Sequence, residues 1–287
     1  MKALFVCERT GLGSAEIRGR QVAAALNADV CRFEELTIER LQACDVVVYV
    51  KRLPPRELLV AARTAGVRQL ADPLDNYRWR KLAGGAALLD GFIAANHTHA
   101  LELERRFDRP AVPIPHHHCN FDDARIPPGR VPATLGYVGG RDHWPATRRA
   151  LRGVKHPIRH ELHAASLEAL RDAYLQVDVG IAFRRDTYKT RFNSAVKLVN
   201  FMSFGIPAVL SPEIGYLEAA RHGESCFFAA TAQELRVFAD RLARDPELRV
   251  RMGAAAVAAA AAFHIDRVAE HYRRLLGTRP GSPASRP

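Results

Sequence analysis

Short apolar runs alternate with longer amphipathic stretches from the first residues onward: KALFV, VAAALNA, DVVVYV, the segment from Arg56 to Ala65, GVRQLA, DGFIAA and AVPIP. Runs this short predict strands, and the helical stretches between them predict crossovers that make the sheet parallel. Proline and aspartate then interrupt the pattern in FDDARIPPGRVP, Phe121 to Pro132, and the rhythm restarts with ATLGYVGG, DVGIAF and IPAVLS. A composition break followed by a new strand-loop-helix start predicts a second α/β domain. The hinge is expected between residues 116 and 132, giving a Rossmann-like domain over 1–118 and a second over 119–264. An alanine-rich run, Gly253 to Ala262, leads into HIDRVAEHYRRLL, where Ile265, Val268, Tyr272 and Leu275 recur at helical spacing. A final helix over 265–277 is therefore expected, followed by a tail over 278–287 with no apolar periodicity, expected to be disordered.

Composition narrows the setting. With 287 residues, 48% hydrophobic and 25% charged, the chain has material for two modest cores. The longer apolar stretch from Leu82 to Ala95 is broken by Gly84, Gly85 and Asp90, so neither a membrane span nor a signal peptide is expected. Five scattered cysteines with no Cys-x-x-Cys pair suit a reducing compartment, and a cytoplasmic protein is expected. The formal charge of +11 falls mostly after residue 118 and favours anionic partners, from diphosphates to the acidic inner face of a membrane.

The densest chemistry lies in RFNSAVKLVNFMSFGIPAVLSPEIGYLEAARHGESCFF. The strand DVGIAF runs into a polar loop, RRDTYKTRFN, and then into a helix expected to begin near Ser194. Free N–H groups and the positive dipole end of that helix would face whatever lies beyond the strand ends. Lys197 adds a full positive charge, and Gly205 and Pro207 end the helix. The pattern fits a diphosphate.

The same block resembles the GT-B glycosyltransferases, a large nucleotide-sugar-dependent family with a K-L-x-E-(Y/A)-M-A-x-G-x-P-V-V segment, then G-x-x-E and a further glycine. Lys197, Met202, Gly205, Pro207, Gly215, Glu218, Gly223 and Phe227 fall in register with it. The resemblance is weaker at LGYVGGRD (Leu135 to Asp142), TGLGSAEIRGRQVAAAL, DVVVYVKRL and LADPLDNY. It implies two Rossmann-like α/β domains facing across a cleft, with the last helix crossing back to the first domain. It also implies sugar transfer from a nucleotide-sugar to a hydroxyl of a glycan, glycolipid or glycoconjugate in cell-envelope polysaccharide assembly, with no metal cofactor. Many members carry a Glu-x7-Glu pair; here Phe192 and Asn200 stand at those positions, which resembles the subgroup with a polar-Ser-x-x-Lys phosphate site. Asn200 can donate and accept and is expected to make the ribose contact.

Catalytic stabilisation of the leaving phosphate is assigned to Lys197, the N–H groups of Asn193 and Ser194, and Arg141 after the Gly139-Gly140 turn, with Arg184, Arg185 and Lys189 as alternates. Tyr216 and Glu218 complete the expected donor site. The acceptor is expected at the loop ERTGLGSAEIRG, which carries Glu8, Arg9, Glu16 and Arg18. Gly13, Arg18, His97 and His118 are its expected contacts. Gly11-x-Gly13 lacks the third glycine of the dinucleotide fingerprint, which argues against a dehydrogenase. An inverting reaction needs a general base, for which Asp72, Asp75 and His97 are candidates; the resemblance tilts toward retention, where the leaving phosphate takes the proton. In His116-His117-His118-Cys119 only alternate side chains could share a metal, and the segment is expected to be the interdomain crossing. Trp79 is expected in a core, and Trp144 either in a core or against a sugar. Two other functions fit the charge and the missing glutamate: a nucleic-acid-binding protein, opposed by dispersed arginines and no recognised motif, and a non-catalytic GT-B-like partner subunit.

Overall fold

The computed structural model describes residues 1–277 except 9–12, 14, 75–78, 128 and 163. Asp75, Arg9, Gly11 and the expected tail lie outside the described residues. The chain divides into two units, Met1–His116 with the segment from Ile265 onward, and His117–His264.

The first unit is built on six parallel strands, β1 (Ala3–Cys7), β2 (Asp29–Arg32), β3 (Val46–Val50), β4 (Arg68–Asp72), β5 (Gly91–Ala94) and β6 (Ala111–Pro113), in the order β2-β1-β3-β4-β5-β6. Successive residues of β1 and β3 point to opposite faces, and both faces are covered. Leu4, Val6, Val47 and Tyr49 enter one core, while Phe5, Cys7, Val46, Val48 and Val50 enter the other. Burial on both sides explains why these strands are continuous apolar runs rather than alternating ones. The helix Ile265–Gly277 covers the second face with Val268, Tyr272 and Leu276, and Tyr272 packs on Phe5 at 5.9 Å between ring centroids. Leu276 is buried there, and the expected Leu275 and Ile265 lie at the margin.

The second unit carries five parallel strands, β7 (Leu135–Gly139), β8 (Ile158–Leu162), β9 (Val179–Ala182), β10 (Ala208–Leu210) and β11 (Cys226–Phe228), in the order β11-β10-β9-β7-β8. Its two faces are again split by alternation: Ala208 and Leu210 pack with the helix Val196–Ser203, and Val209 packs with the helix Ala232–Arg244. β8 is an edge strand, IRHEL, whose first three residues are exposed, so no apolar run marks it in the sequence.

The run Pro246–Gly277 is long and apolar enough by composition to cross a membrane, contrary to the expectation that no segment is. Much of that apolarity is alanine, and the run is not one helix. The helix Pro246–Ala260 passes through a 3-10 turn, Ala261–Phe263, to His264, whose backbone is extended, before Ile265–Gly277 begins. Met252, Ala256 and Ala260 are buried in cores of the second unit, and Val268 and Tyr272 in the first.

Candidate functional site

In the second sheet the chain steps from β7 to β8 on one side and then to β9 on the other, so strand order reverses between β7 and β9. Loops leaving the carboxyl ends of two such strands diverge, which is where open α/β sheets bind ligands. Here those loops are Gly139-Gly140 and the segment from Phe183 to Asn193.

Lys197 sits in the first turn of the helix Val196–Ser203 and is buried. Its Nζ donates to the Val138 carbonyl at 2.9 Å and lies 3.9 Å from the centroid of the Tyr137 ring. Gly139 is required beside it: φ is +153°, and a Cβ would overlap the Lys197 ammonium. Burial pushes Lys197 well below the usual lysine range, the positive charge of Arg184 pushes it further, and Glu213 opposes both. The site thus holds an amine whose charged form lacks solvation.

A second group ties the loop after β9 to the helix Ile214–Ala219. Arg184 Nε is 3.1 Å from Glu213 Oε1, close enough for ion pairing but not aligned as a hydrogen bond. Arg184 also donates through Nη2 to the Tyr216 hydroxyl at 3.1 Å, and its backbone N–H donates to Ser211 Oγ at 3.1 Å. Asn193 Nδ2 donates to the other Glu213 oxygen at 3.1 Å. Gly215 allows this approach, since a Cβ there would stand 2.5 Å from the Asn193 carbonyl oxygen. Thr187 and Thr190 fold the intervening loop, with Thr187 N–H donating to Thr190 Oγ1 at 2.9 Å. Phe192, at the position of the first family glutamate, is buried and anchors the loop.

Arg184, Glu213, Tyr137 and His143 are therefore part of the cluster. Burial lowers His143, and Arg184 and Lys197 lower it further, so it lies within electrostatic reach of both. Arg184 was only an alternate in sequence; Tyr137 and Glu213 lie inside the segments that carry the resemblance but were not singled out, and His143 had no motif to mark it. Arg141 opens a short 3-10 turn directly after Gly140 and is exposed, as are Arg185 and Lys189. Asn193 and Ser194 are half-buried beside the cluster, but the helix starts at Val196, two residues later than expected.

Several expected contacts are engaged elsewhere. Asn200 accepts from Cys119 N–H at 2.9 Å and donates to the Tyr174 hydroxyl at 3.2 Å, so both ends of its amide serve the interior of the unit rather than a ribose. Tyr216 is fully buried and positions Arg184. Glu218 is exposed and lines a separate surface groove with Arg221 and Glu224. His118 is buried, its N–H donates to the Phe263 carbonyl at 3.0 Å, and burial, reinforced by His264, pushes its ring down to about 4. It is thus a neutral interior side chain.

In the first unit, Arg18 and Asp72 are both fully buried and meet at 2.7 Å. Arg18 Nη1 donates to the carbonyls of Ile114 at 2.7 Å and Pro115 at 3.0 Å. Burial would lower the Arg18 guanidinium, but the Asp72 carboxylate more than reverses this, while burial raises Asp72 against the opposing pull of Arg18. This corrects two expectations: a carboxylate sealed against an arginine cannot reach an acceptor hydroxyl, and the arginine cannot select one. His97 is exposed at the start of the helix His97–Phe107, and Gly13 occupies an exposed turn with φ +143°. Trp79 packs beside His99 and Phe107, whereas Trp144 stacks on the exposed His160 at 4.6 Å. Among the described residues, no three His, Cys, Asp or Glu side chains converge as metal ligands.

No family model matches the chain, and no curated protein sequence matches it. Solved structures do. The Anabaena protein HepE, in complex with UDP and glucose, superposes with a TM-score of 0.72 at 14% identity, covering 97% of this chain and 100% of that one. A glycosyltransferase from Rickettsia africae gives 0.70 at 13% identity over 97% and 99% of the two chains. Sucrose-phosphate synthase from Thermosynechococcus elongatus gives 0.65 at 13% over 96% and 99%. The likeness is one of fold: two parallel-sheet α/β units, as in GT-B glycosyltransferases.

Proposed function

We propose that the chain is a glycosyltransferase that moves a sugar from a nucleotide-sugar to a hydroxyl of a glycan, glycolipid or glycoconjugate, using no resident metal. The observation that carries this reading is the buried Lys197 ammonium at the strand-order reversal of the second sheet, held against the Val138 carbonyl and Gly139. An ammonium stripped of water gains most from an anion, and it has three N–H donors, one of which is used by Val138. The donor diphosphate takes the others.

As the bond from the anomeric carbon to phosphate breaks, the electron pair and its negative charge go to the phosphate oxygen. Lys197, the backbone N–H groups of Asn193 and Ser194, and Arg141 stabilise that charge where it develops. Arg184 is held by Glu213 and Tyr216 and supplies field to the same place. The acceptor oxygen bonds to the anomeric carbon, and its proton passes to the leaving phosphate, which gives retention without a protein base. The burial of Asp72 agrees with that route. Assignment to envelope polysaccharide assembly follows the family resemblance, and placement in the cytoplasm follows the scattered cysteines; the net charge of +11 suits work beside an acidic membrane face.

Binding tests this directly. UDP, GDP, dTDP and CMP titrated into the protein should give one clear ligand, and UDP is the first to try because structural neighbours hold it. Lys197→Ala should weaken that ligand by tenfold or more, about the worth of one charge-assisted contact. No binding by any of the four would remove the reading. Steeply salt-dependent binding to nucleic acid, with no nucleotide bound, would replace it.

A further inference from the structure

One stretch of the second unit carries charge of a single sign. From His143 to His160 the chain has five Lys or Arg and no Asp or Glu. Four of them, Arg148, Arg149, Arg152 and Lys155, stand on the helix Trp144–Ala150 and the segment after it. Leu151 N–H donates to the Thr147 carbonyl at 3.0 Å and Arg152 N–H to the Arg149 carbonyl at 3.3 Å, so the helical winding runs on past Ala150. That winding sorts the side chains: Thr147, Ala150 and Leu151 are buried, while Arg148, Arg149 and Arg152 are exposed, as is Lys155. None of these four cations forms a side-chain hydrogen bond or ion pair with another described residue.

The helix Ala232–Arg244 extends the face. Leu235 and Ala239 share a core with Ala150 and Leu151, so both helices cover the same side of the sheet. Arg236 Nη1 donates to the Ala150 carbonyl at 3.0 Å, and His156 Nε2 lies 2.9 Å from Asp240 Oδ1. The two carboxylates of this helix do not cancel the free cations: Asp240 is also held by Arg244 at 2.8 Å, and Glu234 accepts from the N–H groups of Ala230 and Thr231 at the helix start. Val237, next to Arg236, is 57% exposed.

Clusters of about four to eight Lys and Arg are what acidic lipid headgroups attract, and guanidinium groups match phosphate oxygens well. A single-stranded nucleic acid would instead use aromatic rings set among the cations. Here the nearby rings are engaged, Trp144 on His160 and Phe238 on Phe227, and the exposed apolar side chain is aliphatic, which suits the boundary between headgroups and acyl chains.

We propose that this face of the second unit docks on a membrane surface rich in anionic phospholipid, with Arg148, Arg149, Arg152 and Lys155 on the headgroup phosphates and Val237 against the acyl boundary. The helix Trp144–Ala150 starts at the candidate site, where Trp144 packs on Tyr137 at 5.3 Å between ring centroids. Docking thus holds that site one short helix, about 10 Å, from the basic turn. The membrane setting rests on the glycosyltransferase reading above; the chemistry of the face does not.

Co-sedimentation of the full chain tests this with vesicles of phosphatidylcholine alone, or of phosphatidylcholine and phosphatidylglycerol in equal parts. Each Lys or Arg near a charged bilayer contributes about a fivefold gain, so the anionic vesicles should bind roughly a hundredfold tighter, with the preference shrinking at high salt. An Arg148→Ala, Arg149→Ala, Arg152→Ala variant should lose most of that preference while keeping its melting temperature and its nucleotide affinity. A Lys2→Ala, Arg80→Ala, Lys81→Ala variant, which removes equal charge from exposed positions in the first unit, should keep most of it. The proposal is overturned if the anionic vesicles bind no tighter than the neutral ones, if the preference survives in the first variant, or if the second variant loses as much. Loss of affinity for a nucleic acid in the first variant, with vesicle binding unchanged, would make the face a nucleic-acid surface instead. Nucleotide binding is scored separately: a chain that docks through this face but binds no nucleotide keeps the docking surface and loses the glycosyltransferase reading.

Discussion

Lys197 shows how a single buried charge sets chemistry. Its folded-state pKa is lowered, by burial first and by Arg184 next, so the free protein gives up that proton at a lower pH than an exposed lysine does. A bound diphosphate favours the charged form. Nucleotide affinity is therefore full below the lowered pKa and falls as pH rises through it, earlier than the ordinary lysine value of about 10.4. Calorimetric affinities measured across that range should show the decline in the wild type and a flat profile in Lys197→Ala. Folding follows the same linkage: because the native state releases this proton first, the contribution of Lys197 to stability rises with pH between its folded and unfolded pKa values.

Asp72 gives the opposite lesson. In sequence it is an acid at a strand end and reads as a general base; in the fold it is sealed against Arg18. Asp72→Asn should cost about 3–5 kcal/mol in urea unfolding by stranding the arginine charge. A variant of normal stability but without transfer activity would instead make Asp72 the base. Sequence could not separate the two roles, because whether a residue at the end of β4 meets solvent depends on Arg18, 54 positions away.

Among the elements, those buried on both faces were legible. β1, β3 and β9 are continuous apolar runs because helices cover both sides of each sheet. β8 was missed because an exposed edge strand carries no such run. In the candidate site, Lys197 and Gly139 stood out as a lysine in a helix start and a glycine pair after a strand. The Arg184–Glu213–Asn193 tie did not, because it joins two loops whose proximity only the sheet order creates.

The last helix was legible from its spacing, and its role can be measured. Tyr272 is fully buried on Phe5, and its hydroxyl is 3.4 Å from Asp72 Oδ2. Tyr272→Ala should destabilise the first unit by about 3–5 kcal/mol, the usual cost of emptying an aromatic site. Trp79 lies in the first unit and Trp144 in the second, so a Trp144→Phe background lets Trp79 fluorescence report that loss alone. An unchanged Trp79 transition would mean that the helix contributes little to the core it covers.

On the scale of the whole molecule, two parallel sheets each reverse strand order once, and at each reversal the loops gather positive charge. In the second unit that charge is Lys197 and Arg184, and in the first it is Lys51, Arg52, Arg56 and Lys81. The overall +11 is thus partly concentrated where open α/β sheets bind ligands.

The central claim is that the Lys197 site binds and activates a nucleotide-sugar. The most direct measurement is release of nucleotide from the matching nucleotide-sugar, followed over time with and without an acceptor. The wild type should release nucleotide, faster with acceptor present, and Lys197→Ala should slow release by roughly a hundredfold or more, the range seen when one stabiliser of a developing negative charge is removed. Nucleotide that binds tightly but is never released from any nucleotide-sugar would make the chain a non-catalytic binding subunit, and release that is unchanged in Lys197→Ala would move the chemistry away from this site.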